Sequence, residues 1–207
     1  WDSTFRLLQL VLTEKKVVQP YYLIDPKRQS LRNEIKAQRE IQDRLFLNFP
    51  LTRELIQPTF FYEVGDIDQD NDLAEAYSIY REFRPNKPLD FQYLWLSQFC
   101  KQFDLDNMEL CEENFGINEL PFGRHVFGSF LVPIEGTREQ CIADQYRGTV
   151  VDMLFKRFRF PIRGYTRQEM ETEARAGSWE DYLYMTWFCH SPVRGRYPCA
   201  TCDPCRM

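Results

Sequence analysis

The sequence has no apolar run approaching the length of a membrane span, no visible signal peptide, no internal repeat and no low-complexity tract. A bilayer crossing needs about 20 consecutive apolar residues, so a spanning protein is not expected, and no leader is read from the residues. Positive charge is also short: 26 Lys and Arg stand against 31 Asp and Glu, a net charge of -5. That balance argues against a general nucleic-acid or membrane-surface binder, since both depend on basic surface. Histidine is scarce, with two in 207 residues. An even cysteine framework is missing too. Cys100, Cys111 and Cys141 are scattered through apolar or mixed contexts, the usual setting of free thiols. The other four of the seven cysteines crowd into the last nineteen residues. An odd, clustered set suits metal binding in a reducing compartment better than disulfides, and the expected location is cytoplasmic.

What is present suits a folded chain of one domain with a sizeable core, or one domain and a small appendage. Hydrophobic residues make up 43% and aromatics 15%, so large rings should fill core or pocket volume. Phe5, Leu7, Leu8, Val11 and Leu12 have the spacing of one buried helix face, with Asp2 and Ser3 as candidate N-caps. Val17–Ile24 reads as a short strand region broken by Pro20, and residues 29–45 return to helical spacing. Strand-like Thr59–Val64 follows, then an acidic stretch over Gly65–Asp72. A helical region around Leu89–Phe103 and a strand-like Asn107–Cys111 come next. Residues 113–140 read as irregular, and helical patterns resume at 141–157 and 167–188. Alternating helices and strands favour an α/β fold with a parallel sheet covered on both faces.

The tail reads C-H-S-P-V-R-G-R-Y-P-C-A-T-C-D-P-C-R-M. Cys199, Cys202 and Cys205 form C-x2-C-x2-C, and Cys189 stands upstream of them. A cysteine pair spaced i, i+3 turns two thiolates toward one ion, and Cys189 can supply the fourth ligand by looping back through Pro192 and Gly195. A ferredoxin-type run would continue to a cysteine downstream. The expected metal is Zn2+ in a structural role, because four thiolates leave no open coordination position. His190 is read as a bystander.

The two ends of the chain carry a resemblance. W-D-S-T, at Trp1, Asp2, Ser3 and Thr4, resembles the second half of the S-G-G-x-D-[ST] phosphate loop of PP-loop ATP pyrophosphatases. T-W-F-C (Thr186–Cys189) followed by P-C-x-x-C-x-x-C-R resembles the zinc signature of the 7-cyano-7-deazaguanine synthase family. P-I-R-G-Y-T-R-Q-E-M (Pro161–Met170) looks like that family's P-L-x-x-x-[ST]-K-x-E-I segment. Phe188 replaces the family's small hydroxyl residue, Ala200 its common glycine and Arg167 its lysine. Residues 65–120 lack the usual central recognition motifs. Q-Y-L-W-L (Gln92–Leu96) looks more like a divergent branch, including synthase-like proteins associated with bacterial antiviral defence.

The resemblance implies a parallel-sheet, Rossmann-like PP-loop fold over residues 1–185, with a four-cysteine zinc-binding tail at 186–207. It implies ATP with Mg2+ as nucleotide and cofactor, and Ser-Gly-Gly immediately before Trp1. Trp1, Asp2, Ser3 and Thr4 would bind ATP, with Asp2, Ser3 and Arg167 catalytic. Arg28, Arg124 and His125 are candidate substrate contacts. Helix capping at Asp25–Glu34, a solvated face for the run from Lys156 to Arg167, and a loop or core role for His125 stand as alternatives. The implied reaction is ATP-dependent activation of the carboxylate of 7-carboxy-7-deazaguanine, followed by ammonia attack to amide and nitrile. Two alternatives are kept: a defence enzyme that joins the activated deazapurine to an amine of a partner protein, and a non-catalytic zinc-stapled binding module. A homodimer is implied as well.

Overall fold

The computed structural model describes residues 1–83, 91–112 and 130–206. Its contacts divide the chain into two units: Trp1–Asp66 with Glu171–Met207, and Ile67–Met170. The cysteine tail groups with the first unit, so that unit is built from the two ends of the sequence.

In the first unit, α1 (Asp2–Leu8) passes into a π-helical turn over Gln9–Thr13 and stops at Lys15, whose φ is 54°. Phe5, Leu8 and Val11 are buried, as the spacing predicts, but Leu7 and Leu12 are only half-buried, and Leu10, Arg6 and Gln9 are buried outside the predicted face. The wider turn changes which side chains face inward, an irregularity that periodicity alone does not reveal. Arg6 donates to Gln9 Oε1 at 2.5 Å and to Glu14 Oε1 at 2.6 Å, and Gln9 donates to Glu173 Oε1 at 2.9 Å. The buried guanidinium is therefore compensated, as a buried charge must be. Burial pushes the Glu14 carboxyl up, but hydrogen bonds from Lys16 and Arg6 outweigh it and hold the group below its usual range.

Strand β1 (Tyr21–Ile24) leads to α2 (Leu31–Asn48), the short α3 (Thr52–Leu55) and β2 (Phe60–Glu63). The strands pair in parallel, with Tyr21 opposite Phe60 and Ile24 opposite Glu63. This is a βαβ unit, the connection that parallel strands require. α2 buries Ala37, Ile41 and Leu45 along one stripe. The predicted strand and helix boundaries here fall within a few residues of those observed.

The second unit packs α4 (Asn71–Phe83), α5 (Gln92–Gln102) and α6 (Val150–Phe155) around a ring-rich core of Tyr77, Tyr80, Phe130, Phe155 and Phe160. Phe130 stacks on Phe155 at 5.6 Å and meets Tyr80 edge-on at 6.4 Å. Three pairs of strands complete the described β-structure: β1 with β2, β3 (Met108–Glu109) parallel to β6 (Phe158–Arg159), and β4 (Leu131–Pro133) antiparallel to β5 (Gln140–Ile142). The fold is thus mixed α/β with short parallel pairs. The expected helix over 141–157 is replaced by β5, a 3-10 turn at Asp144–Tyr146 and α6, because Leu131–Pro133 offers residues 140–142 a ladder partner. No helix among the described residues is long and apolar enough to cross a membrane.

After β6 come α7 (Arg167–Ala176), α8 (Glu180–Leu183) and, in the cysteine tail, α9 (Asp203–Arg206). The single helical pattern expected over 167–188 is interrupted by a Schellman turn. Ser178 has φ 58°, its N–H donates to Arg175 O, and the Trp179 N–H donates to Ala174 O, both at 3.0 Å. That pairing satisfies the last carbonyls of α7 and stops it.

Candidate metal centre

The four clustered cysteines are brought together by three short devices. First, Trp187 donates from Nε1 to the carbonyl of Cys189 at 2.7 Å, which fixes the approach to the first sulfur, and Cys189 itself is buried. Second, the chain turns back through a hairpin closed by Val193 N–H to Tyr197 O at 2.8 Å and Tyr197 N–H to Val193 O at 3.2 Å. Arg194 and Gly195 at its tip both have positive φ, 51° and 68°. Asn33 of α2 donates to the Gly195 carbonyl at 3.1 Å and anchors that tip. Third, Cys199, Thr201 and Cys202 form a knuckle. The N–H groups of Thr201 and Cys202 point at Cys199 Sγ, at 3.4 and 3.2 Å, and that of Cys199 points at Cys189 Sγ at 3.2 Å.

The four Sγ atoms all lie within 4.8 Å of one another. Three of the separations are 3.8 Å for Cys199–Cys205, 4.0 Å for Cys202–Cys189 and 3.4 Å for Cys202–Cys205. A tetrahedron of sulfurs about 2.3 Å from zinc has edges of about 3.8 Å, so the spacing fits a four-thiolate zinc site. The residues therefore can hold one metal ion. His190 is exposed and stands outside this group.

The local fields differ from sulfur to sulfur. Hydrogen bonding from Thr201, and from the Thr201 and Cys202 backbone N–H groups, pulls the Cys199 thiol down to about 5. Desolvation raises the Cys202 thiol, but hydrogen bonds from the His190 backbone and from Cys205 more than offset it, leaving it below the usual thiol range. Cys205 is pushed up to about 12, by desolvation first and by its contact with Cys202 next. N–H groups aimed at sulfur stabilise thiolate, the form that binds metal.

Ala200, inside the C-x2-C-x2-C run, has φ 59°. A left-handed Ala costs roughly 1–2 kcal/mol, and Gly returns part of that through unfolded-chain entropy. Ala200→Gly is expected to stabilise the protein by about 0.5–1 kcal/mol, read as a Tm rise of roughly 1–4 °C by calorimetry. A fall in Tm would show that the methyl is needed there.

The other sequence candidates fare differently. Trp1 occupies the N-cap position of α1, so the helix starts one residue earlier than an Asp2 cap requires and two earlier than a Ser3 cap, and no side chain caps it. Ser3 is exposed, whereas Trp1, Asp2 and Thr4 are half-buried on the same first turn. Arg28 is drawn into a network on Glu34. Arg28 Nε lies 2.8 Å from Glu34 Oε1, Ser30 Oγ donates to Oε1 at 2.5 Å, and the Tyr22 hydroxyl donates to Oε2 at 2.7 Å. Burial first, then Glu34, drives the Tyr22 hydroxyl well above its usual range. Arg124 and His125 lie outside the described residues.

Arg167 is exposed at the first position of α7, in the second unit. It sits inside a capping box. The Thr166 N–H and hydroxyl donate to Glu169 Oε2 at 2.8 and 3.0 Å, and the Glu169 N–H returns to Thr166 Oγ1 at 3.3 Å. The T-x-x-E part of the family-like segment thus has a helix-starting role of its own. Those Thr166 bonds, with Arg138, hold the Glu169 carboxyl below its ordinary value of 4.5. A depressed carboxylate contributes stability that is present above 4.5 and lost as pH falls through the lowered value. Glu169→Gln should therefore lie about 0.5–1 kcal/mol below wild type in urea melts at neutral pH, with the gap closing in acid. A gap constant across pH would refute this.

Asn33 escaped the sequence reading, because a contact that spans 162 residues leaves no local trace. Comparison of the chain with protein-family models, curated proteins and solved structures gives no match.

Proposed function

We propose that the protein is an ATP-dependent ligase of the 7-cyano-7-deazaguanine synthase type, stapled at its C-terminus by structural zinc. The observation that supports this reading best is the tail: the cysteines of the family-like zinc signature are the four whose sulfurs converge within 4.8 Å. On this reading the ligands are Cys189, Cys199, Cys202 and Cys205, and the metal holds the tail in shape without touching substrate.

The chemistry belongs to the opposite end of the sequence. Ser3 and Thr4 donate hydrogen bonds to phosphate from the first turn of α1, at the positive end of the helix dipole. Asp2 orders that turn or holds Mg2+, and Trp1 borders the nucleotide. The substrate carboxylate attacks the α-phosphorus of ATP and pyrophosphate leaves. Ammonia then displaces AMP to give the amide, and a second activation yields the nitrile. Mg2+ and basic side chains would supply the charge stabilisation that departing pyrophosphate demands.

The test is direct. Full-length, zinc-loaded protein is given ATP, Mg2+, 7-carboxy-7-deazaguanine and ammonium, and the products are weighed. Amide or nitrile with AMP and pyrophosphate supports the reading; ATP left intact with every carboxylate tried overturns it. Product formed only with a protein amine supports the defence alternative. Within the active outcome, Ser3→Ala should lower the rate about 100-fold or more while leaving zinc content unchanged.

A further inference from the structure

The net charge of the chain conceals an uneven distribution. Residues 1–66 and 171–207 hold fourteen basic and fourteen acidic side chains, so the whole -5 is carried by residues 67–170. Within the neutral unit, the bond from Asn33 to Gly195 brings two basic segments side by side. Lys27, Arg28 and Arg32 come from the approach to α2 and its first turn, and Arg194 and Arg196 from the hairpin tip. All five are exposed. Arg28 is balanced by Glu34. Lys27, Arg32, Arg194 and Arg196 have no acidic partner among the described residues.

Unbalanced cations are joined here by exposed rings. Tyr197, at the foot of the hairpin, is 64% exposed, and Phe188, stacked on Trp187 beside Cys189, is 47% exposed. A large ring left in water gains by finding a flat apolar partner. Guanidinium groups match phosphate with a planar fork that lysine lacks. Cations spaced around exposed rings are the two components that hold a single nucleic-acid strand, phosphates on the charges and bases on the π-faces. A duplex offers no free base faces, and an acidic polypeptide would use the charges but not the rings.

We infer that the face formed by the hairpin tip and the start of α2 binds a single nucleic-acid strand, with phosphates on Arg32, Arg194 and Arg196 and a base stacked on Tyr197. The inference goes beyond the proposed ligase chemistry and does not depend on it, since it uses neither ATP nor the first turn of α1.

The experiment is fluorescence anisotropy with zinc-loaded full chain and a labelled mixed-sequence strand of about 15 nucleotides. Wild type should bind, and the logarithm of its association constant should fall with log salt at a slope of about -2, the value for three phosphates on a single strand. Arg32→Glu/Arg196→Glu should lose affinity at least tenfold and flatten the slope. Arg32→Lys/Arg196→Lys, which keeps both charges, should keep most of the binding, and Arg196→Gln replaces the reversal if zinc content or Tm falls. Tyr197→Ala should weaken binding about fivefold or more without changing the slope. No binding at low salt overturns the inference. So does equal competition by a duplex or by polyglutamate of matched charge, which would show attraction to any polyanion, or variants that bind as wild type does.

Discussion

Stripping zinc from the metal-loaded protein with a strong chelator is expected to unravel the tail and lower Tm by about 10 °C or more. Metal analysis of the untreated protein should give one zinc per chain. The expectation follows from what holds residues 186–206 in place. Their backbone forms a single closed hairpin and one short helix, too little to order a segment of this length alone. Structural zinc contributes on the order of 10 kcal/mol at neutral pH, far more than those hydrogen bonds. Cys189→Ser should reproduce the loss, because Cys189 is buried and its sulfur also receives the Cys199 N–H. The dependence on acid has a fixed sign. Four thiolates must be unprotonated to bind, so protons compete with metal and zinc leaves as pH falls. A protein whose melting curve is indifferent to full chelation has no structural metal there.

Trp179→Ala is expected to cost about 3–5 kcal/mol in chemical denaturation, the range for a buried aromatic truncated in place. Trp179 is 2% exposed, and its ring packs on Phe5 of α1 at 5.6 Å. It is also the residue whose N–H closes the Schellman turn after α7. The same indole explains Gly177. A Cβ at 177 would sit 2.0 Å from Trp179 Nε1 and 2.5 Å from Cδ1. That ring is held in the core and cannot swing aside, so Gly177→Ala should cost about 1–3 kcal/mol through overpacking. The double variant distinguishes the causes. If the clash with Trp179 is the reason for glycine, Gly177→Ala should cost little once the ring is gone. A penalty that persists in the Trp179→Ala background would place the requirement in the backbone instead.

Which features could be read in advance depends on how local they are. The α2 face and the β1 and β2 runs each carry their period within a few residues and stand where the spacing put them, whereas the π-helical turn shifts the inward face of α1. The cysteine cluster was legible for the same reason, since three of its members share one turn of chain. α4 was missed, although Leu73, Ala76, Tyr77 and Tyr80 have helical spacing and Asp70 accepts the Leu73 N–H at 2.9 Å. Its acidic lead-in masked the pattern. The strand at Gln140–Ile142 could not be seen, because only its pairing with Leu131–Pro133 makes it one. Gly177 is the most instructive case. A helix-stop rule places glycine at the left-handed position, yet that position belongs to Ser178, and glycine stands one residue earlier to clear a ring. The chemical assignments at Trp1–Thr4 and Arg167 rest on motif likeness, which no local geometry replaces.

A unit made from the two ends of a sequence has a timetable. Phe5 emerges from the ribosome long before Trp179, and the 104 residues of Ile67–Met170 are made in between. At about 5–20 residues per second, α1 waits roughly 9–35 s for the side chain that covers it. During that interval Phe5 lacks its indole partner, while the intervening unit already has its whole chain and can close on its own rings. The cysteine tail follows later still, and its order depends on capturing an ion. The tail therefore closes late onto a helix made much earlier, through Asn33 of α2, and the arrival of metal decides whether it stays.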